Sequence, residues 1–203
     1  YILIFRKGGP RRFVSQREKL DRAESAFFWE ERNAWFSDVW ELKGSRQSLN
    51  HGEVRGRSAA FPFELAYRLI NMFSVRQDTV LDPFLGTATT ILAAIASERN
   101  SIGVEIDGGF RSYIAERTLK AAAELNAYIE ERLRRHLRFI EEYSKRKGRP
   151  KYVNLHHGFP VVTAQEVRLR LRRIESVQAA AGPPLEYRAG YCDQAELPFE
   201  PGG

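Results

Sequence analysis

One stretch of the chain constrains the fold more than any other, namely Val80-Leu81-Asp82-Pro83-Phe84-Leu85-Gly86-Thr87-Ala88-Thr89-Thr90. It is strand-like up to Asp82, breaks at Pro83, turns at Gly86, and continues as helical residues to Ala96. A second apolar run, Ser101 to Glu105, follows. A right-handed crossover through the helix would place this run parallel to the first strand. The pattern predicts an α/β fold.

The turn between the first strand and its helix is typical of a ligand-binding loop. Gly86 lets a ligand approach the backbone, and the helix N-terminus leaves unpaired N–H groups above the strand ends. Glu105 comes about 20 residues later, where a carboxylate in a dinucleotide fold accepts hydrogen bonds from ribose hydroxyls. The G-x-G-x-x-G and Walker spacings are absent from the loop. We predict an adenosine-containing cofactor; the alternative is a plain α/β domain in which Asp82 and Glu105 only cap strand ends.

Three motifs in the same order resemble the amino-methyltransferases of DNA. They are Ala59-Ala60-Phe61-Pro62-Phe63-Glu64-Leu65-Ala66, Asp82-Pro83-Phe84-Leu85-Gly86-Thr87 with Thr89-Thr90, and Gly103-Val104-Glu105-Ile106-Asp107. Their order resembles the permuted beta-type subgroup, in which the catalytic half, a target-recognition segment and the cofactor half follow one another. The resemblance covers about residues 1–119. It implies a Rossmann-like S-adenosylmethionine-dependent methyltransferase fold, here as a partial sheet with a helical C-terminal extension.

The resemblance also implies a cofactor, a partner and a set of site residues. S-adenosyl-L-methionine (SAM) would be the cofactor and double-stranded DNA the partner, with no metal. Glu105 would hold the ribose, Ile106 would pack near the adenine, and Phe61 and Pro62 match the segment that closes over the methionine moiety. Four further residues would line the methionine end: Asp82, Phe84, Gly86 and Thr87. The segment Tyr1-Ile2-Leu3-Ile4-Phe5-Arg6-Lys7 resembles the strand that ends the catalytic half.

The chain departs from the family pattern at three places. Ala88 replaces the second glycine of the loop, and since alanine accepts helical backbone angles we expect the loop to persist with less room for ligand. Arg57-Ser58 stands where the family has His-Pro. The catalytic tetrapeptide, an Asp or Ser followed by Pro-Pro and an aromatic residue, is absent; the double proline in Gly182-Pro183-Pro184-Leu185 is expected to be a loop.

The missing tetrapeptide leaves the catalytic residues unidentified. An exocyclic amine is a poor nucleophile, and the tetrapeptide is what holds it in the flipped base. We therefore expect a fragment, or a chain whose catalytic half lies on another polypeptide, with self-association as a symptom of the exposed sheet edge. The choice between cytosine N4 and adenine N6 stays open. A non-catalytic cofactor- or DNA-binding subunit and a related RNA methyltransferase are the alternatives.

Target recognition is predicted between residues 21 and 57. Aromatic residues concentrate between Phe27 and Trp40, where Arg32 and Asn33 are interleaved with them, and a polar loop with Arg46 and Arg55 follows. These four polar residues are the candidate DNA contacts. The alternative for the aromatic residues is a local core. A formal net charge of +6 favours a polyanionic partner.

The remaining sequence predicts the organisation of the chain. The lone Cys192 excludes an internal disulfide, and no apolar run is long enough to span a bilayer, so we expect a cytoplasmic protein. Helices are predicted over Phe63–Phe73 and from Tyr113 through Leu133 towards Tyr143, and a capping box at Thr163 and Glu166 predicts another. The predicted divisions are a methyltransferase domain at 1–120, a helical basic extension at 121–178 and a loosely structured tail at 179–203.

Overall fold

The computed structural model describes residues 1–42 and 61–194. These residues form six α-helices and six strands, in the order α1 Gln16–Glu24, α2 Trp29–Trp35, α3 Phe63–Phe73, β1 Thr79–Asp82, α4 Thr89–Ala96, β2 Asn100–Gly103, α5 Arg111–Lys120, α6 Ala122–Lys147, β3 Tyr152–Val153, β4 Pro160–Val161, β5 Arg172–Ala179 and β6 Tyr187–Asp193. Short 3-10 turns lie at Gly108–Phe110 and Ala164–Glu166. Within these two ranges, no helix combines the length and the apolar character that a membrane span requires.

The unit β1-α4-β2 has the predicted strand, loop and helix arrangement. Strands β1 and β2 pair in parallel, with Thr79 opposite Asn100 and Asp82 opposite Gly103. Helix α4 is almost entirely buried because its sequence is apolar all round. The opposite sheet face is open, since Leu81 and its register partner Ile102 are both exposed. The α/β fold is confirmed, and its parallel sheet has two strands within the described residues.

A single large core connects this unit with the C-terminal part of the chain. Helices α3 and α4 contribute Tyr67 and Leu92, helix α6 contributes Leu125 and Ile129, and strand β5 contributes Ile174. Asn126 on α6 fixes β5 in place, because its side chain both donates to and accepts from the backbone of Ile174, at 2.8 Å in each case. The core therefore includes residues on both sides of position 120. The division of the chain into domains at residues 120 and 178 stays a prediction.

Buried ion pairs tie the same parts together. Arg76, after α3, donates to Glu98 at 2.6 Å and also contacts Glu24 of α1. Arg172 at the start of β5 donates through Nε to Glu98 at 2.7 Å. Because each buried charge has an opposite partner, the cost of removing it from water is offset locally. Residues near the beginning and near the end of the described chain thus share one polar cluster.

The C-terminal region differs from the sequence expectation. The predicted long helix is divided at Ala121 into α5 and α6, and α6 extends past Tyr143 to Lys147. The capping box at Thr163 and Glu166 is present, but it opens only one 3-10 turn. The expected helix beyond it is wrong, because Arg172–Ala179 form β5, and the expected loose structure of residues 179–203 is wrong where Tyr187–Asp193 form β6. The two strands pair antiparallel from Arg172 opposite Asp193 to Ala179 opposite Tyr187, and residues 195–203 of that tail lie outside the described residues.

The physical reason for this difference is long-range burial. Ile174, Ala189 and Tyr191 of the hairpin pack against the main core, and the Tyr191 hydroxyl donates to the Ile95 carbonyl of α4 at 2.9 Å. The hydrogen bonds between β5 and β6 and the packing of the hairpin on α4 and α6 outweigh the weak helical pattern of the local sequence. The double proline at 183–184 lies in the turn between the two strands, as expected of a loop.

The N-terminal residues also differ from expectation. Tyr1 to Lys7 form no strand, and Tyr1, Leu3 and Phe5 are strongly exposed. A strand needs a neighbour to satisfy its backbone N–H and C=O groups, and no strand within residues 1–42 and 61–194 pairs with this segment. The resemblance of the segment to a family strand therefore has no counterpart in the described structure.

Candidate functional site

The candidate site lies at the carboxyl ends of β1 and β2, where ligands bind in open α/β sheets. Two backbone hydrogen bonds continue the strand pairing beyond the last residues. Val104 N–H donates to the Asp82 carbonyl at 2.9 Å, and Leu85 N–H donates to the Val104 carbonyl at 2.8 Å. These bonds hold the loop after β1 against the end of β2. As a result, Asp82, the last residue of β1, and Glu105, two residues after the end of β2, lie at the same edge of the sheet.

Gly103 permits this close approach of loop and strand. A Cβ atom at this position would lie 2.6 Å from Cδ2 and 2.8 Å from Cδ1 of Leu85. Leu85 is buried with Ala88, Phe110 and Ile114 in a small cluster below the loop. A side chain at Gly103 would therefore push the loop away from the strand or force Leu85 out of its pocket.

The loop reaches the helix through two left-handed residues. Gly86 has a φ of 53° and Ala88 a φ of 64°. The expectation that Ala88 would adopt helical angles is wrong, because it is the left-handed N-cap of α4 and is fully buried. Left-handed angles disfavour an L residue with a Cβ by about 1–2 kcal/mol, which explains the glycine of the family pattern at this position. The alanine methyl group instead packs in the cluster with Leu85.

Asp82 is held by two donors. Its Oδ1 accepts the Phe84 N–H at 3.0 Å, and its Oδ2 accepts the Thr90 hydroxyl at 2.5 Å. Thr90 is the second residue of α4, so the carboxylate lies over the N-terminus of that helix, where a negative charge is favoured. Thr90 belongs to the loop motif, but the sequence pattern predicts no role for it. The contact shows that it positions Asp82.

Glu105 connects the loop with the end of β2. Its Oε2 accepts the Gly86 N–H at 2.7 Å, and its Oε1 accepts the Asp107 N–H at 2.8 Å. Each carboxylate oxygen has two lone pairs, so both oxygens keep one for a ligand hydroxyl. The structure thus contains the capping contacts of the plain-domain alternative, and it also leaves acceptor capacity directed at the strand ends.

The other predicted cofactor residues surround this pair to different degrees. Thr87 is buried, and its carbonyl accepts from Arg117 Nη1 at 2.5 Å, a contact from α5 with no signal in the local sequence. Phe84 and Ile106 are 87% and 101% exposed, so their apolar side chains are free to cover a ligand. Phe61 and Pro62 lie at the start of α3, where Pro62 is the N-cap. Within the described ranges no hydrogen bond joins them to the loop.

The predicted DNA contacts are only partly visible. Arg32 and Asn33 are exposed on α2, whereas Arg46 and Arg55 lie outside the described residues. Among the aromatic residues of this segment, Phe28 and Trp35 are buried, in agreement with the local-core alternative. The segment therefore combines a buried aromatic side with an exposed polar one.

A buried arginine anchors α2 to the rest of the molecule. Arg132 of α6 donates to both carboxylate oxygens of Glu31, at 2.5 and 2.7 Å, and to the Tyr67 hydroxyl at 2.8 Å. Its guanidinium also lies 5.3 Å from the ring centroid of Trp35. Burial opposes the charge on Arg132, but Glu31 and Tyr67 outweigh it and raise the arginine pKa.

A second buried group joins α2 to α6 and β4. His136 Nδ1 lies 2.8 Å from Glu30 Oε1, and its Nε2 lies 3.1 Å from the Pro160 carbonyl. Burial raises the pKa of Glu30, against the effect of the hydrogen bond to His136. Ligand atoms of Glu30, His136 and Glu166 lie within 4.8 Å of one another. Glu166 already accepts from the Trp29 N–H and from the Thr163 N–H and hydroxyl, whereas Glu30 Oε2 is buried without a hydrogen-bond partner among the described residues.

Comparisons with known proteins give relatives of one kind. The Type II methyltransferase M.MthZI of Methanothermobacter thermautotrophicus is 52% identical over 172 residues, which are 84% of this chain and 47% of that protein. The Type II methyltransferase M.MjaI of Methanocaldococcus jannaschii is 53% identical over 117 residues, 58% of this chain and 37% of that protein. The chain thus spans less than half the length of these two relatives.

A solved structure is also similar. The protein TTHA0409 of Thermus thermophilus, solved in complex with S-adenosyl-L-methionine, has 33% identity, and the match covers 59% of this chain and 41% of that one with a TM-score of 0.43. The model of the DNA methylase family matches residues 1–117, more than half of the 203 residues. This matched region contains the whole loop and both carboxylates described above, and the chain belongs to the DNA methylase family.

Proposed function

We propose that the chain supplies the SAM-binding and target-recognition part of an enzyme that methylates an exocyclic amino group of a DNA base, cytosine N4 or adenine N6. The carrying observation is the pair of carboxylates Asp82 and Glu105 at one edge of two adjacent parallel strands, with the Gly86 backbone bound to Glu105. Membership of the DNA methylase family supports the proposal, as do relatives above 50% identity that are named Type II methyltransferases.

Each predicted residue has a role that its surroundings support. Glu105 would accept the ribose hydroxyls, because both its oxygens keep a free lone pair beside their backbone donors. Asp82, fixed by Thr90, would accept from the ammonium group of the methionine moiety. Phe84 and Ile106 would cover the apolar faces of the ligand with their exposed side chains. Gly86 and Thr87 would place their backbone next to the ligand, and Phe61 and Pro62 would close over its methionine end.

Bound SAM would supply an activated methyl group for in-line transfer to the base nitrogen. The contribution of this chain would be positioning, which alone can lower a reaction barrier by about 7–11 kcal/mol. The base must leave the duplex to reach the cofactor, so recognition and base flipping would precede transfer. Arg32 and Asn33 would contact DNA from α2, and Arg46 and Arg55 are proposed as further contacts.

The groups that hold the target amine would come from outside these 203 residues. The sequence has no Asp/Ser-Pro-Pro-aromatic motif, and its double proline is the turn of the β5–β6 hairpin. The catalytic half would be a further segment or a second polypeptide, and the exposed sheet face with Leu81 and Ile102 is consistent with such a neighbour. Because the proposed substrate is cellular DNA, we infer a cytoplasmic location.

A calorimetric titration with SAM tests the proposal. We expect saturable binding at one site, weakened about tenfold or more by Asp82→Asn and by Glu105→Gln, because each change removes a charged acceptor. Glu175→Gln, on the exposed side of β5, is the matched control and should bind like the parent chain. Circular dichroism establishes that every sample is folded.

Two results would contradict the proposal. A folded chain that does not bind SAM would refute the cofactor role, and unchanged binding in both acidic variants would refute the assignment of the site. Transfer of labelled methyl groups to duplex DNA, to single-stranded DNA and to RNA, with the catalytic half supplied in trans, then identifies the substrate. Labelling of RNA alone would exclude a DNA substrate.

A further inference from the structure

Four cations at and just after the C-terminal end of α6 have no acidic partner among the described residues. We call Arg146, Lys147, Arg149 and Lys151 the basic tip; all four are exposed. No carboxylate of residues 1–42 or 61–194 forms an ion pair with any of them. Earlier cations on the same helix differ, since Arg134, Arg138 and Lys145 pair with Glu130, Glu131 and Glu141. The positive charge of the basic tip is therefore not neutralised by its neighbours.

Helix stability explains only part of the basic tip. Cations in a last helical turn interact favourably with the carbonyl end of the helix, and this accounts for Arg146 and Lys147. Arg149 and Lys151 come after Gly148, the residue that ends α6, and therefore lie outside the last turn. Five cations and no acidic residue occur between positions 145 and 151. Such a concentration of like charge is destabilising by itself, which suggests an anionic partner.

Two of the four cations lie over aromatic rings. Lys147 Nζ lies 5.6 Å from the ring centroid of Tyr143, and Lys151 Nζ lies 5.7 Å from that of Tyr152. Contacts of this kind restrict a lysine side chain without neutralising its charge. The basic tip thus presents partly ordered ammonium groups that remain available to phosphate.

The basic tip adjoins the predicted recognition helix. Trp29 of α2 stacks on Phe139 with ring centroids 5.6 Å apart, and its centroid lies 6.4 Å from that of Tyr143. Arg32 and Asn33 are three and four residues after Trp29, so they share its helix face. Both are exposed. One surface therefore runs from the predicted DNA contacts on α2, across these aromatic rings, to the basic tip.

We propose that the basic tip binds the phosphate backbone of duplex DNA beside the target site. This inference rests on the proposed function and assigns a DNA contact to residues beyond the segment that matches the family model, which ends at residue 117. Helix α6 has 26 residues and is about 39 Å long, and its first turns pack in the main core. The basic tip therefore lies about 39 Å from the start of α6, a distance close to one turn of duplex. At that distance it would contact flanking phosphates and read no bases.

Fluorescence anisotropy with a labelled 30-base-pair duplex of mixed sequence tests the proposal, using the full 203-residue chain at several salt concentrations. In the tip variant, Arg146, Lys147, Arg149 and Lys151 are all changed to Gln. We expect an affinity about tenfold lower or more at 0.1 M salt. We also expect the slope of log affinity against log salt to fall by about 3 to 4, since each phosphate contact contributes about 0.9.

The matched control changes Lys7, Arg12, Lys19 and Arg22 to Gln, which removes the same charge from four exposed cations elsewhere that likewise form no ion pair with a described carboxylate. In the control, the slope of log affinity against log salt should differ from that of the parent chain by no more than about 1, the equivalent of one phosphate contact. An equal loss in both variants would show a general charge effect and overturn the proposal, as would an unchanged slope in the tip variant or no duplex binding by the parent chain. SAM titration of the same samples separates the outcomes: its failure counts against the proposed function, whereas normal SAM binding with unaffected DNA binding counts against the basic tip alone.

Discussion

Replacing Glu31 by Gln is predicted to destabilise the fold far more than an ordinary ion-pair mutation. Arg132 is 2% exposed, and both carboxylate oxygens of Glu31 accept from it. Glu31→Gln leaves the guanidinium buried without an opposite charge. Breaking a buried pair in this way costs about 3–5 kcal/mol of unfolding free energy. Arg134→Gln, which breaks an exposed pair with Glu130, should cost less than about 1 kcal/mol.

The double variant Glu31→Gln/Arg132→Met gives the sharper test. Methionine would remove the uncompensated charge and fill the space near Phe28 and Trp35, leaving the Tyr67 hydroxyl without its donor. An unpaired buried hydroxyl costs about 1–3 kcal/mol. The double variant should therefore be more stable than Glu31→Gln alone. Urea unfolding at pH 7, followed by tryptophan fluorescence, measures the free energy of unfolding of the parent chain and of each variant. A double variant as unstable as Glu31→Gln, or less stable, would refute this account.

Three further predictions concern the loop, its support and acid stability. Thr90→Val removes the hydroxyl that fixes Asp82 and should weaken SAM binding about tenfold in a calorimetric titration, while the unfolding midpoint changes little. Gly103→Ala should destabilise the chain by about 1–3 kcal/mol in urea, because its Cβ would lie 2.6 Å from Leu85. Burial lowers the pKa of His157 to about 4, so its unfolded form binds more protons and stability falls as the pH drops from about 6.5 towards 4. His157→Gln should reduce that loss by up to about 3 kcal/mol in urea titrations at pH 7 and pH 4.5.

The parts of the molecule that follow from neighbouring residues could be predicted from the sequence. The strand, turn and helix around Gly86 depend on a local pattern, and so do helix α3 and the capping box at Thr163 and Glu166. The parallel pairing of β1 and β2 follows from the handedness of a short crossover. The edge position of Asp82 and Glu105 follows in turn from that pairing.

Other features depend on residues far apart in the chain. Glu31 and Arg132 are 101 positions apart, and neither has a local signal for its partner. The Arg117 contact to Thr87 and the hairpin that replaces an expected helix are of the same kind. The backbone of Ala88 escapes prediction for another reason, because helical spacing indicates where α4 begins but gives no backbone angles for the residue before it.

The β5–β6 hairpin has a consequence for the order in which the chain can fold during synthesis. The buried face of α4 meets Tyr191, whose hydroxyl is bonded to Ile95 96 positions earlier. Apolar surface on α4 thus stays uncovered until the ribosome has released almost the whole described chain. Contacts between such distant positions slow folding and prolong the lifetime of aggregation-prone intermediates. Until the hairpin emerges, this part of α4 therefore stays open to contacts with other chains.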